Sequence, residues 1–170
     1  MDIDNMILRT PAGSDGTSIL FSRSNRDSKI NGFEFYAEKR VDENWTLYGN
    51  FSYILGQDQV LNEPLSRIPP TQGIMGLRWR NSEKYEYLDF YAWVVRRQDR
   101  LNFQDISDNR IPNGGTPGYA TFNIRYGTML SDTQRITVEL ENILDQAYRV
   151  HGSGVDGAGF SANIQYSFEF

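Results

Sequence analysis

The chain contains no cysteine and only one histidine, His151, among its 170 residues. The absence of thiols excludes disulfide bonds and thiolate metal centres, and a single imidazole excludes a two-histidine zinc site. Lysine and arginine number 17 against 22 acidic residues, so the net charge is −5. An acidic chain is poorly suited to a polyanion, and we expect no nucleic-acid partner.

Long apolar runs are also missing. No stretch approaches the ~18 residues that a transmembrane helix needs, and the acidic opening MDIDNMILRT lacks the apolar core of a signal peptide. No segment keeps a helical period of 3.6 residues. The glycine-rich GGTPG at 114–118 precedes no predicted helix and is therefore not a phosphate loop. We expect no cofactor and no metal.

The sequence does contain repeated period-two alternation. In residues 160–170 apolar and polar side chains alternate without a break, which is typical of a strand with one apolar and one polar face. The same pattern recurs in several other segments, less regularly in the third and fourth of them: 33–38, 45–53, 74–80, 86–95, 120–126 and 135–141. The pattern predicts an all-β, antiparallel fold.

The connections between these segments are alternately short and long. Residues 41–44, 81–84 and 129–134 are short polar turns, whereas the intervening links are long: 56–71, 97–117 and 143–157. This order is typical of an up-and-down transmembrane β-barrel, which has short periplasmic turns and long extracellular loops. Strands of ~10 residues suffice for a tilted membrane crossing, and their apolar rows would face lipid. A soluble β-sandwich also alternates, but its loops need not sort by length.

The many aromatic residues gain a role in this interpretation, because 10 Tyr, 10 Phe and 3 Trp are unusual in an acidic chain. Trp45, Trp79, Tyr126 and Phe168 all lie on apolar rows, beside a short turn or near the end of the sequence. They are predicted to stand at one level, as the aromatic girdle of a membrane interface.

The first forty residues are harder to assign. Residues 2–8 predict a strand, and Pro11, Gly13, Asp15 and Gly16 mark a turn region. Residues 17–40 form either one long strand with a bulge near 25–28 or two strands. The alternation of later loops favours one long strand. This gives eight strands in all, with both chain ends on the short-turn side.

Several segments resemble the barrel of TonB-dependent outer-membrane receptors. GTPGYATFNIRYG and LENILDQAYRVHGSGVDGAGFSANIQYSFEF look like the C-terminal end of that barrel, and LSRIPPTQGIMGLRWR and NRDSKINGFEFYAEK look like earlier parts, in the family's order. The resemblance covers essentially residues 1–170 and implies the last eight strands of a 22-stranded barrel. We therefore expect the plug domain, the TonB-contacting box, the signal peptide and about fourteen earlier strands to be absent.

The resemblance also implies a function. The family imports scarce ligands such as ferric siderophores, haem, cobalamin or sugars across the outer membrane of Gram-negative bacteria, powered by the TonB complex through the plug. We expect part of such a receptor, preferably for a ferric siderophore or another iron chelate, and no enzymatic activity. Tyr166, Phe168 and the terminal Phe170 resemble the signal that the barrel-assembly machinery recognises. The alternative is a self-closed eight-stranded outer-membrane protein with an adhesive or structural role.

Four residues are candidates for ligand binding at the extracellular rim. Arg96, Arg97 and Arg100 stand at the start of the longest loop, where guanidinium groups could attract the carboxylate or catecholate oxygens of an iron chelate. A rim of salt bridges to Asp99, Asp105 and Asp108 explains them equally well. His151 could bind iron, but the glycines around it favour a plain loop histidine.

Two further groups of polar residues have structural explanations. Asn142, Asp145 and Tyr148 resemble an ordered turn of the family, in which Asn and Asp side chains bond nearby backbone N–H groups. Glu139 and Glu141 share a polar row, as a glycosidase pair could, but acidic side chains are ordinary in a polar barrel interior. We predict no catalytic residue.

Overall fold

The computed structural model describes residues 1–14 and 16–170 and shows one antiparallel sheet. The strands are β1 Asp2–Ser14, β2 Ile19–Arg40, β3 Trp45–Asp58, β4 Glu63–Pro64, β5 Gln72–Asn81, β6 Glu86–Val95, β7 Tyr119–Ser131, β8 Gln134–Glu141 and β9 Ser161–Phe168. One short helix, α1 Phe103–Ser107, lies in the loop between β6 and β7. No helix among the described residues has the length and apolar character to cross a membrane.

Each long strand pairs with its neighbours in sequence, in the order β1-β2-β3-β5-β6-β7-β8-β9, and the two-residue β4 pairs with β3. The predicted antiparallel, up-and-down order of eight long strands is confirmed. Within the described residues β1 and β9 are the two edges of the sheet and do not pair with each other. The alternative of a barrel closed by these eight strands alone is therefore wrong.

In a water-soluble protein the apolar side chains are buried and the charged side chains are exposed. In this sheet the apolar side chains are exposed and several charged side chains are buried. Register pairs such as Phe35↔Phe51 and Leu77↔Phe90 keep the apolar rows of neighbouring strands on one side, the apolar face. Large side chains on this face are exposed, up to 73% for Ile164, whereas Asp89 on the opposite polar face is 3% exposed. Exposed apolar surface of this extent is a hazard in water and the normal state against lipid.

The apolar face has the height of a membrane. On β3 its row runs from Trp45 to Leu55 and becomes polar at Gln57. A strand rises about 3.3 Å per residue, so with a tilt of about 40° this row spans roughly 25 Å, the apolar band of outer-membrane barrels.

The long second strand is confirmed, because β2 runs without interruption from Ile19 to Arg40. The irregularity predicted near residues 25–28 lies at that level but in the partner strand. The register steps from Ile3↔Ser28 to Met6↔Arg26, so β1 contains the additional residue. Asn5 lies in the bulge and has a left-handed backbone conformation, with a φ of 57°. Its N–H donates to Asp27 Oδ1 at 3.2 Å.

The predicted turn before β2 begins later than expected. β1 continues to Ser14, so Pro11 and Gly13 belong to a strand, with Pro11 opposite Phe21. Pro11 is compatible with pairing because β1 is an edge strand. Gly16 follows β1, and Asp15 lies outside the described residues.

The aromatic residues predicted for the girdle form one row across four strands. Trp45 is opposite Trp79, Trp79 is opposite Leu88, and Leu88 is opposite Tyr126. The register row continues to Ile164 in β9, but tilted strands incline such a row to the membrane plane, so it does not mark one depth. On β9 the residue predicted for the girdle is Phe168, four residues nearer the short-turn end than Ile164, with its ring centroid 6.1 Å from that of Phe170. A position at the membrane interface stays a prediction for these side chains.

Candidate functional site

The long loops leave the sheet at one end, which we call the loop end. The polar face below them carries a network of charges from three adjacent strands. Asp89 accepts hydrogen bonds from Arg78 Nη2 at 2.7 Å, from Arg78 Nε at 3.1 Å and from Tyr48 Oη at 2.7 Å. The Arg78 guanidinium also lies 4.7 Å from the Tyr48 ring centroid. Gly76 makes room for this ring, because a Cβ there would lie 2.4 Å from it.

A second group of charges continues the network along the polar face. Arg125, directly opposite Asp89, forms an ion pair with Glu139, and its Nε donates to Glu139 Oε1 at 3.0 Å. Tyr91 Oη donates to the same oxygen at 3.3 Å, and Glu141 accepts from Ser161 Oγ at 3.2 Å. Glu139 and Glu141 therefore both bond to side chains of neighbouring strands, and the charged side chains of this face form one hydrogen-bonded network, which we call the polar wall.

The three long loops are joined above this wall. Asp105 of α1 is 1% exposed and accepts from Ser66 Oγ at 2.7 Å and from the Arg67 N–H at 3.1 Å, which ties the loop at 96–118 to the loop at 59–71. His151 Nδ1 lies 2.8 Å from Thr116 Oγ1, and this contact connects the third long loop, residues 143–157, to the loop at 96–118. The loops therefore form one layer at the loop end.

His151 is not part of the predicted rim cluster, because it contacts Thr116 and does not line the cavity that the three arginines share. Burial lowers the pKa of its imidazole, which favours the neutral form. Its buried Nε2 has no hydrogen-bond partner among the described residues. In residues 1–14 and 16–170 no group of three His, Cys, Asp or Glu side chains is placed to hold a metal ion.

The ordered turn after β8 has the geometry expected from its sequence. Asn142 is 3% exposed, has a φ of 50°, and its Nδ2 donates to the Gln146 carbonyl at 2.9 Å and the Ala158 carbonyl at 3.1 Å. Asp145 Oδ1 accepts from the Phe160 N–H at 2.9 Å. These side chains fold the third loop back towards β9.

Three aromatic rings meet where the polar face reaches the loop layer. Trp93 and Tyr119 come from adjacent strands, with centroids 5.2 Å apart, and Tyr148 of the third loop lies 4.6 Å from Tyr119. Trp93 Nε1 donates to Gln72 Oε1 at 3.1 Å. Sequence reasoning missed this cluster, although a Trp on a polar row close to a long loop is a usable signal.

The three arginines predicted as a binding rim do come together. Arg96, Arg97 and Arg100 line one cavity of about 200 Å³, which we call the arginine cleft, between the end of β3 and residues 96–100. Arg97 Nη2 donates to the Gly114 carbonyl at 2.5 Å, and Arg100 Nη2 donates to Gln57 Oε1 at 2.9 Å. No hydrogen bond or ion pair of the Arg96 guanidinium is found within the described part of the chain.

The alternative of a salt-bridged rim applies only to Arg97. Its Nε lies 3.9 Å from Asp99 Oδ2, and both side chains are more than half exposed, so this pair contributes little. The other two aspartates proposed as partners are engaged elsewhere, Asp105 with Ser66 and Asp108 with Arg110. The arginine cleft therefore keeps a net positive charge.

A second basic cavity lies within the loop layer. It has a volume of about 520 Å³, and its charged lining residues are Arg9, Arg67, Arg110 and Asp108. Arg110 donates to Asp108 through Nε at 2.8 Å and Nη2 at 2.6 Å, and Arg67 Nη2 lies 3.3 Å away. These hydrogen bonds, above all those from Arg110, hold the pKa of Asp108 well below its ordinary value.

Acid is expected to loosen the loop layer through Asp108. A carboxylate whose pKa is depressed in the folded state stabilises that state above its unfolded pKa of about 4, and the stabilisation is lost as pH falls further. In the full-length protein we expect amide hydrogen exchange in residues 97–117, corrected for intrinsic rates, to become faster below pH ~4. Asp108→Asn should remove this dependence, whereas Asp99→Asn, at an exposed and weakly paired carboxylate, should keep it. An unchanged dependence in Asp108→Asn would contradict the assignment.

Comparison with known proteins supports the barrel architecture. A family model described as "TonB dependent receptor-like, beta-barrel" matches residues 1–143. No curated protein matches the chain.

Solved structures with the same fold include "Copper transporter OprC", with a TM-score of 0.84 and 17% identity over 99% of this chain. "The FrpB iron transporter from Neisseria meningitidis (F3-3 variant)" gives 0.74 and 14%, and "Structure of the FpvAI-pyocin S2 complex" gives 0.71 and 11%, again over 99% of this chain. The match covers 27%, 27% and 24% of those three chains respectively, so this chain spans about a quarter of their length.

Proposed function

The chain belongs to the family of TonB-dependent receptor-like β-barrels, and from this premise we propose that it is the C-terminal part of the barrel of a receptor that actively imports a scarce ligand. The family consists of receptors and transporters, not enzymes. The whole receptor would contain the plug domain and further strands, and import would depend on the TonB complex acting through that plug.

We place the sheet in the outer membrane of a Gram-negative bacterium, with the loop end outside the cell and the short turns in the periplasm. The exposed apolar face and the buried charges opposite support this placement, because only lipid makes such a face stable. In the same proposal Tyr166, Phe168 and Phe170 serve as the assembly signal on the last strand, and Trp45, Trp79 and Tyr126 serve as the periplasmic girdle.

We propose an anionic iron chelate, such as a ferric siderophore, as the ligand. The observation that carries this proposal is the basic cavity in the loop layer, where three arginines surround a single aspartate. Guanidinium groups match carboxylate and catecholate oxygens, and a positive mouth raises the local concentration of an anion. The Trp93–Tyr119–Tyr148 cluster lines separate cavities at the loop end and offers the apolar surface that small-molecule sites usually have.

The ligand class is tested by uptake in cells that carry the full-length receptor gene or its deletion. We expect radioactive iron presented as a tris-catecholate chelate to enter only with both the receptor and TonB present. Labelled copper, presented in parallel, should enter equally with and without the receptor. Receptor-dependent copper uptake, or chelate uptake that does not need TonB, would contradict the proposal.

The basic cavity has its own test within the same system. Arg9→Gln combined with Arg67→Gln should slow association of the chelate several-fold at low salt, and the difference should shrink once the Debye length falls below ~8 Å. Arg110 is left intact because it donates the two shorter hydrogen bonds to Asp108, at 2.8 and 2.6 Å. The matched control is Arg80→Gln, an exposed arginine at the short-turn end, which should leave the association rate unchanged.

A further inference from the structure

We propose that the arginine cleft binds a phosphate group of the outer-leaflet glycolipid and thereby anchors the loop end of this barrel segment to the membrane surface. The proposal rests on the membrane placement given above. It concerns a site on the outside of the barrel wall and is independent of the imported ligand.

The first step is the direction in which the cleft opens. The apolar row of β6 runs through Phe90, Ala92 and Val94, and Arg96 is its next member. On β3 the row ends at Leu55, and the next member, Gln57, accepts the hydrogen bond of Arg100 at 2.9 Å. Arg96 therefore extends the lipid-facing row of β6, and Arg100 is held through Gln57 at the end of the lipid-facing row of β3, in contrast to the charges on the polar face.

The other side of the cleft is closed by the loop that follows β3. Leu65 is buried, and the side chain of Ile68 occupies the space over Gly56, where a Cβ would lie 2.6 Å from Ile68 Cδ1. Gly56 belongs to the polar row of β3, so Leu65 and Ile68 cover the polar face there. Tyr53 and Leu55 of the apolar row line the cleft together with Ile54 and Gly56 of the polar row. Because Leu65 and Ile68 cover the polar side of Gly56, we infer that the cleft opens towards the lipid side.

The second step is height. Arg96 stands one residue pair beyond Val94, the last apolar side chain of its row on β6, and Arg100 bonds to Gln57, which stands one residue pair beyond Leu55 on β3. On β3 the apolar row below Gln57 fills roughly 25 Å, the height of the apolar band of outer-membrane barrels. The guanidinium groups therefore lie at the level of lipid headgroups, where long cationic side chains keep their stems on apolar surface and their charges in the polar layer.

The third step is charge. The cleft contains three guanidinium groups and one carboxylate, Asp99, whose contact with Arg97 is long and exposed. Arg96 has no side-chain partner among the described residues, and Arg100 bonds to the neutral amide of Gln57. Two uncompensated guanidinium groups over a small cavity suit the paired oxygens of a phosphate monoester.

The test uses the full-length receptor in phosphatidylcholine nanodiscs that contain a trace of diphosphoryl lipid A, with bound glycolipid counted by native mass spectrometry. Basic residues at an anionic lipid surface each change affinity about fivefold, so Arg96→Gln with Arg100→Gln should weaken retention about 25-fold. Arg96→Lys with Arg100→Lys should recover part of the loss. Dephosphorylated lipid A should bind the wild type as weakly as diphosphoryl lipid A binds the glutamine variant.

The matched control is Arg23→Gln, which removes another exposed arginine at the loop end and should change nothing. Loss of folded mobility on unheated gels identifies any variant that fails to assemble, and the lysine pair then serves as the comparison. Equal glycolipid retention by wild type and glutamine variant would overturn the proposal. Displacement by millimolar inorganic phosphate without any preference for lipid would show a free-anion site and overturn it too.

The variant with Arg96→Gln and Arg100→Gln also distinguishes glycolipid binding from the ligand-binding role that the sequence predicted for these arginines. Unchanged glycolipid binding, together with slower capture of a ferric tris-catecholate, would assign Arg96 and Arg100 to ligand encounter and overturn the lipid assignment. Weakened glycolipid binding with normal chelate capture supports the anchor. Failure of the iron-uptake experiment alone leaves the glycolipid result standing, because the nanodisc assay contains no imported ligand.

Discussion

Asp89→Ala should destabilise the barrel wall by about 3 kcal/mol, one of the two largest effects that we expect from a single substitution. The change leaves the mostly buried Arg78 guanidinium without its carboxylate and the Tyr48 hydroxyl without its acceptor. Removing one partner of a buried ion pair costs about 3–5 kcal/mol, and the partial exposure of Arg78 places this case at the lower limit. The measurement is the temperature at which the full-length receptor loses its folded mobility on gels.

Two further variants separate charge from packing at Asp89. Asp89→Leu combined with Arg78→Met removes both charges and should recover much of the stability, because a buried pair replaced by apolar side chains is often neutral. Asp132→Ala, at an exposed turn position, should lie within about 0.5 kcal/mol of the wild type. If the double variant is as unstable as Asp89→Ala, an unpaired Arg78 is not the cause.

Ile164→Arg should weaken assembly of the full-length barrel by ~2–4 kcal/mol, because it places a charge against lipid roughly 10 Å deeper than Phe168, the residue of this strand predicted for the girdle. Ile164 belongs to the apolar face, opposite Val138, and is 73% exposed in the absence of lipid. The measurement is the fraction of receptor that reaches the folded, heat-modifiable form in outer-membrane preparations.

Gln165→Arg is the matched control for this effect. The side chains of adjacent strand residues point to opposite faces, so position 165, opposite Thr137, lies on the polar face. An arginine there faces water and should leave the folded fraction unchanged. Similar losses at 164 and 165 would show that the faces have been assigned the wrong way round.

The sequence predicted the sheet well because its main signal is local. Alternation along each strand decides which side chains share a face, and the register confirms that the rows of β3, β5 and β6 continue one another, as in Gly49↔Met75 and Met75↔Ala92. The sequence predicted the bulge in β2, whereas it lies in β1, because a local pattern cannot show how two strands are aligned. A register step belongs to a pair of strands, and the residue that absorbs it, Asn5, has no distinctive pattern around it.

The candidate site was only partly accessible from sequence. The proximity of Arg96, Arg97 and Arg100 was predictable, since the three lie within five residues of each other. Their orientation was not, because it depends on the loop at 59–71 covering the polar side of Gly56. The contact between Thr116 and His151 joins residues 35 positions apart, and no spacing rule links them.

The sequence by itself determined the fold class, the strand order and the lipid-facing rows of this protein, because each follows from period-two alternation and from loop length. Only the tertiary structure decided which polar groups meet: Asp89 with Arg78 and Tyr48, Asp105 with Ser66, and Asp108 with Arg67. Those choices depend on register and on loop folding. Burial then removes the water that would otherwise have satisfied each group, and the partner comes from another strand or loop.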